Sequence, residues 1–113
     1  MESVRQSKVN RLLQKELAEI FRSESKSMFE GAFISVTQVR VTPDLGLAKV
    51  YLSIMLPKDK EKALEQVKSQ QFNIRKLLIS KIRNQFKAMP ELAFYIDDSL
   101  DYAERIDQLL KKD

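Results

Sequence analysis

The hydrophobic residues of this chain change their period part-way along, and that change restricts the possible fold more than any other feature. Over residues 4–22, Val9, Leu12, Leu13, Leu17, Ile20 and Phe21 recur at steps of 3, 1, 4, 3 and 1, the spacing that lines one face of an α-helix. Ser3 or Ser7 can cap its start. Arg5, Lys8, Arg11, Lys15 and Arg22 fall on the polar side, with Glu16 and Glu19 interspersed. Over residues 46–56 the period is two instead: Ala48, Val50, Leu52, Ile54 and Leu56 share one face, and Lys49, Tyr51, Ser53 and Met55 the other. A helix stripe and a half-buried strand in one short chain predict an α+β domain.

The residues between these segments extend the pattern. Ser23 to Ala32 reads as a polar loop. In Phe33 to Thr42, Ile34 and Val36 share one parity while Val39 and Val41 share the other, which predicts a β-bulge near Thr37-Gln38. Thr42-Pro43-Asp44-Leu45-Gly46 is turn chemistry, proline fixing φ and Gly46 available for positive φ, so the two strands form an antiparallel hairpin. Asp59 can cap a helix over 59–69 and a second helix runs over 72–87, with a break at Gln70-Gln71, where the apolar stripe has a hole. After Met89-Pro90, Leu92, Phe94 and Ile96 alternate as a third strand. Asp97-Asp98-Ser99 then caps a short helix through Leu100, Ala103, Ile106, Leu109 and Leu110. The expected order is α-β-β-α-α-β-α in one domain over 1–113, a three-stranded sheet covered by helices.

Composition removes several kinds of chemistry. There is no cysteine and no histidine, which excludes thiol nucleophiles, disulfides, zinc fingers and every histidine-based triad. Gly31 and Gly46 stand alone, so no glycine-rich phosphate loop exists. Asp97 and Asp98 are adjacent, but at a strand-to-helix junction they are caps rather than a general-acid pair. The chain is expected to be no enzyme and to need no cofactor or metal. No apolar run is long enough to span a membrane, and the amino terminus lacks the apolar segment of a secretory signal; a cytoplasmic protein is expected.

The net charge of +4 hides a polarity. Between Glu65 and Glu91 no acid occurs, against Lys68, Arg75, Lys76, Lys81, Arg83 and Lys87; from Glu91 onward seven acids face three bases. On the helix over 72–87, Asn73, Lys76, Ser80, Arg83, Asn84 and Lys87 fall together at 100° per residue. Solvated helices usually mix both signs for i,i+4 pairs. A face of one sign, with amides and hydroxyls beside the cations, suits phosphate and sugar contacts. Arg75 edges the apolar stripe, where it can snorkel or reach a partner; Arg40 and Lys49 on the hairpin complete the candidate RNA-binding set. The residues alone leave an ordinary solvated helix face, or a face for an acidic protein partner, as the alternatives.

Several stretches are similar to one family. Val39-Arg40-Val41-Thr42-Pro43-Asp44-Leu45 followed by Ala48-Lys49-Val50-Tyr51-Leu52-Ser53 resembles the hairpin of bacterial ribosome-binding factor A, and Ile74-Arg75-Lys76-Leu77-Leu78 its helix after the break. Pro90-Glu91-Leu92-Ala93-Phe94-Tyr95-Ile96-Asp97-Asp98-Ser99-Leu100 matches its Pro-Glu-Leu-x-Phe-x-x-Asp-x-Ser block, and Arg105-Ile106 with Leu109-Leu110 fit its end. The resemblance implies a KH-like fold of the type II variant with a kinked helix pair. It also implies a non-enzymatic factor, expected as a monomer, that binds the free small (30S) ribosomal subunit and assists late 16S rRNA maturation. A role in growth in the cold and release by a ribosome-associated GTPase are implied with it. A KH-like module for other RNA, or a protein-interaction subunit with a basic face, is the alternative. The chain departs from the family at the kink, where Gln70-Gln71-Phe72 replaces Ala-x-Gly and removes the glycine that would admit close backbone approach. The sequence also stops soon after Leu110, so the tail many members carry is not expected.

Overall fold

The computed structural model describes residues 2–56, 58–82, 85 and 89–97 of the chain. Helix α1 (Val4–Ser23) is followed by a single helical turn, α2 (Ser25–Met28), and by strands β1 (Phe33–Val41) and β2 (Leu47–Leu56). Helices α3 (Lys60–Ser69) and α4 (Gln71–Ile82) and strand β3 (Glu91–Ile96) complete it. The expected order holds through β3; the helix expected after Asp97 lies outside the described residues.

The sheet runs β1-β2-β3, with β2 central, antiparallel to β1 and parallel to β3. Its inner face is apolar: Ile34, Val36, Val39 and Val41 from β1, Ala48, Val50, Leu52 and Ile54 from β2, Leu92 and Phe94 from β3 are all buried. Against it pack Leu13, Leu17, Ile20 and Phe21 of α1, Val67 of α3, and Ile74, Leu78 and Ile82 of α4. Both parities of β1 can be buried because the register shifts between Val36 and Gln38, so the bulge lies where the parity switch predicts it and returns Val39 and Val41 to the core. The extra residue, Thr37, aims its hydroxyl at Asp97 Oδ2 (2.6 Å), tying β1 to the end of β3.

Helix ends follow local chemistry. Ser3, not Ser7, caps α1, and a capping box with Gln6 satisfies two amides at once. Asp59 caps α3 through the Lys62 amide (3.1 Å).

Three details differ from the sequence reading. The 23–32 segment contains the α2 turn, which swings Phe29 beneath Phe21 with ring centroids 5.0 Å apart. In the hairpin turn the left-handed residue is Leu45 (φ 60), not Gly46. Gly46 is there for closeness: its amide donates to Asp44 Oδ1 (3.0 Å), and a Cβ would lie 3.3 Å from both carboxylate oxygens. The Thr42 hydroxyl and that Gly46 amide hold the Asp44 carboxyl below its usual range. This contribution is present above the ordinary carboxylate pKa and is lost as pH falls through the lowered one. Finally, Leu56 is 59% exposed, because a second register shift at Phe33/Ile34 carries the end of β2 off the alternation.

Among the described residues, helix side chains hydrogen-bond to both edge strands of the sheet. Along the free edge of β1, Gln6 Nε2 donates to the Val41 carbonyl (3.1 Å) and Asn10 Oδ1 accepts from the Val41 amide (2.8 Å). Gln14 reaches the Val36 and Thr37 carbonyls at 3.4 Å. These three residues recur every four positions and so share one helix face. On the β3 side, Gln71 Nε2 donates to the Leu92 carbonyl (2.7 Å). Asn10→Ala should destabilise the protein by about 1–3 kcal/mol, because it leaves the buried Val41 N–H without a partner. Denaturant unfolding together with faster exchange of the Val41 amide would check it; an unchanged exchange rate would show that another group had taken the bond.

Candidate nucleic-acid interface

The break between α3 and α4 falls at Gln70, which belongs to neither helix. Gln71 occupies the hole in the apolar stripe, and its amide is accounted for by the Leu92 carbonyl, as a polar group at that depth requires. The kink therefore forms without glycine. Phe72 stands where the resembled family carries glycine, and it is 78% exposed. The sequence reading gave it no role beyond replacing that glycine.

On α4, Asn73, Lys76 and Ser80 are all exposed. The Asn73 amide donates to Gln70 Oε1 (2.8 Å), tying the first turn to the kink. Lys76 has no ionic partner among the described residues. α4 ends at Ile82 and Gln85 lies in a turn, so the helix expected over 72–87 is shorter than its spacing implies; Arg83, Asn84 and Lys87 lie outside the described residues. Arg75 is turned elsewhere: its guanidinium reaches the Met89 and Pro90 carbonyls at 3.3 and 3.5 Å, bracing the approach to β3. Lys81 sits near Glu19 of α1, whose carboxyl is held below its usual range mainly by the hydrogen bond and charge of Arg22 and slightly by Lys81.

The hairpin candidates are not part of the α4 face. Arg40 and Lys49 are directly paired across β1 and β2 and exposed on the side of the sheet away from the helices. The candidates thus form two groups separated by the core. A third cationic stripe, Arg5, Lys8, Arg11 and Lys15, is exposed along α1; its signal was present in the sequence, but Glu16 and Glu19 masked it. Among the described residues no group of histidine, cysteine or carboxylate side chains could hold a metal ion, and no helix is long and apolar enough to cross a membrane.

Comparison with known proteins agrees with this geometry. The profile of the family described as Ribosome-binding factor A matches residues 5–110. The chain is similar to the ribosome-binding factor A of Cytophaga hutchinsonii, 52% identical over 112 residues, covering 99% of this chain and 84% of that one. It is also similar to that of Prosthecochloris aestuarii, 46% identical over 112 residues, covering 97% and 89%. Among solved structures, the crystal structure of ribosome-binding factor A from Thermus thermophilus superposes with a TM-score of 0.67 at 19% identity, over 80% of this chain and 94% of that one. A homology model of the Thermus thermophilus factor, as fitted into the cryo-EM map of a 30S complex, gives a TM-score of 0.63 at 19% identity, over 87% and 97%. The same α+β fold, and sequence identity running through nearly the whole chain, place this protein in the ribosome-binding factor A family.

Proposed function

We propose that this chain binds the free small ribosomal subunit through its rRNA and assists late maturation of 16S rRNA, without catalysing a reaction itself. The observation that carries the reading is the family match over residues 5–110; a relative of the same fold has been fitted into a map of its 30S complex. The exposed α4 face supports it physically: Asn73, Lys76 and Ser80 offer hydrogen bonds and positive charge with no acid between them, which is what backbone contacts to RNA use. The α1 stripe can add further phosphate contacts. Arg75 acts in this reading as a brace for the β3 approach, and Arg83 and Lys87, which follow α4 in the sequence, add two further cations. The factor works as a cytoplasmic monomer, supports growth in the cold, and is released by a ribosome-associated GTPase.

Sedimentation of a cell lysate on a gradient, blotted for this chain, tests the reading. The protein should peak with free 30S particles and be depleted from intact ribosomes, and its loss should leave precursor 16S rRNA accumulating, most of all in the cold. A peak with bulk messenger or with a protein complex lacking rRNA would replace the reading with a module for other RNA or a protein-interaction subunit.

A further inference from the structure

The side of the sheet opposite the helices carries a row of groups that the α4 face does not use. Tyr51 of β2 and Tyr95 of β3 are paired across the strands, and their rings stack with centroids 5.5 Å apart and planes 28° from parallel. Gln38 of β1 continues the same row, opposite Tyr51. One row along lie Arg40, Lys49 and Ala93, again in direct register. The Gln38 amide, with its oxygen toward Arg40, accepts from Arg40 Nε (2.6 Å) and Nη2 (2.9 Å), so the guanidinium is drawn along β1 toward the tyrosine row. Tyr95 is on an edge strand and 44% exposed. Its ring meets Tyr51 on one side, and the stack can be continued on the other. Acids flank the row at both ends of β3: Asp97 accepts from the Thr37 hydroxyl, and Glu91, opposite Leu47, is two residues from Ala93 and so diagonal to Lys49.

We propose that this helix-free face is a second RNA surface, on which an unpaired base extends the Tyr51–Tyr95 stack while Arg40 and Lys49 take adjoining phosphates. Aromatic faces flanked by cations are how sheets bind single-stranded RNA, because every base has a π-face and every linkage a charge. Two residues along a strand span about 7 Å, within reach of an arginine or lysine side chain. A solvated sheet face does not need two stacked aromatics beside paired like charges. Arg40 and Lys49 directly opposite one another repel, and an anion between them relieves that repulsion. The face lies across the core from Lys76. The protein would therefore sit between two RNA segments, one held by charge on α4 and one held by stacking on the sheet. This rests on the RNA-binding reading above and specifies a second site within it.

The test is binding of the full chain to a short labelled oligouridylate, which stacks little on itself, followed by fluorescence anisotropy over a range of salt. Tyr95→Ala should weaken binding about tenfold or more with the salt slope unchanged, since no phosphate contact is lost; Tyr95→Phe should stay within about twofold, because the ring remains. Arg40→Ala should instead lower the slope by roughly 1. The effects of Tyr95→Ala and Lys76→Ala on binding to free small subunits should multiply, as expected of separated sites. Should Tyr95→Ala fail to fold by circular dichroism, Tyr95→Leu keeps the strand surface and removes only the aromatic ring. A folded Tyr95→Ala or Tyr95→Leu protein that binds oligouridylate like the wild type overturns the proposal. So does a wild type that binds base-free polyphosphate as tightly as oligouridylate. A wild type that sediments with 30S particles yet ignores oligouridylate sinks this site and leaves the small-subunit reading standing. Tyr95-dependent oligouridylate binding without 30S association does the reverse.

Discussion

Replacing Lys76, Arg83 and Lys87 together with alanine should make binding to free small subunits weaker and much less sensitive to salt. Each phosphate neutralised by a cation releases condensed counterions, so log affinity falls against log salt by about 0.7 to 0.9 per contact. Losing three contacts should reduce the slope by roughly 2 to 3. Between about 50 and 200 mM salt the wild type should then lose roughly 15- to 60-fold more affinity than the variant. Stability should hold at Lys76, which is exposed on α4, where alanine is a better helix former than lysine. Lys111→Ala with Lys112→Ala, in the acidic end of the chain, should change the slope far less. Arg83 and Lys87 enter this variant through their spacing from Lys76. Titration of labelled 30S particles at several salt concentrations reads the slope directly. A folded triple variant with the wild-type slope would mean that α4 is ordinary solvated surface, and would shift attention to the α1 stripe and the sheet.

Phe21→Ala should be the most damaging single change to the fold, at about 3–5 kcal/mol. The side chain is 1% exposed. It packs on Phe29 at 5.0 Å and meets Phe94 edge-on at 6.2 Å, so one ring joins α1, the turn after α2 and β3. Removing it leaves a cavity lined by groups that belong to three different elements and cannot close in together. Small domains have about 5–15 kcal/mol of stability in all, so the variant should unfold at markedly lower denaturant. Phe21→Leu, which keeps most of the volume, should retain a larger part of that stability. A Phe21→Ala midpoint close to wild type would mean that the core relaxes far more than its packing implies.

The elements of this fold were legible in the sequence because each depends on local periodicity. The α1 stripe, the alternation of β2, the parity switch at Thr37-Gln38 and the hole at Gln71 are one-dimensional signals, and each corresponds to a feature of the structure. The clustering of three candidate residues on α4 was legible for the same reason. Asn73, Lys76 and Ser80 share a face by the 100° rule alone, and they are exposed together.

What periodicity could not carry was any partner distant in the chain. Gln6, Asn10 and Gln14 look like ordinary polar helix residues until β1 is laid beside them, when their amides prove to close its free edge. At the edge of the apolar stripe Arg75 could snorkel or reach a partner, and it is the carbonyls of Met89 and Pro90 that engage it. Tyr51 and Tyr95 lie far apart in the chain, and only the parallel pairing of β3 with β2 stacks them. Strand order has no local signature, because a strand's own alternation is the same whichever neighbour it takes. Local residue order sets which elements form and which face of each is apolar. Packing of those elements sets which polar groups meet, and so which cations stay exposed.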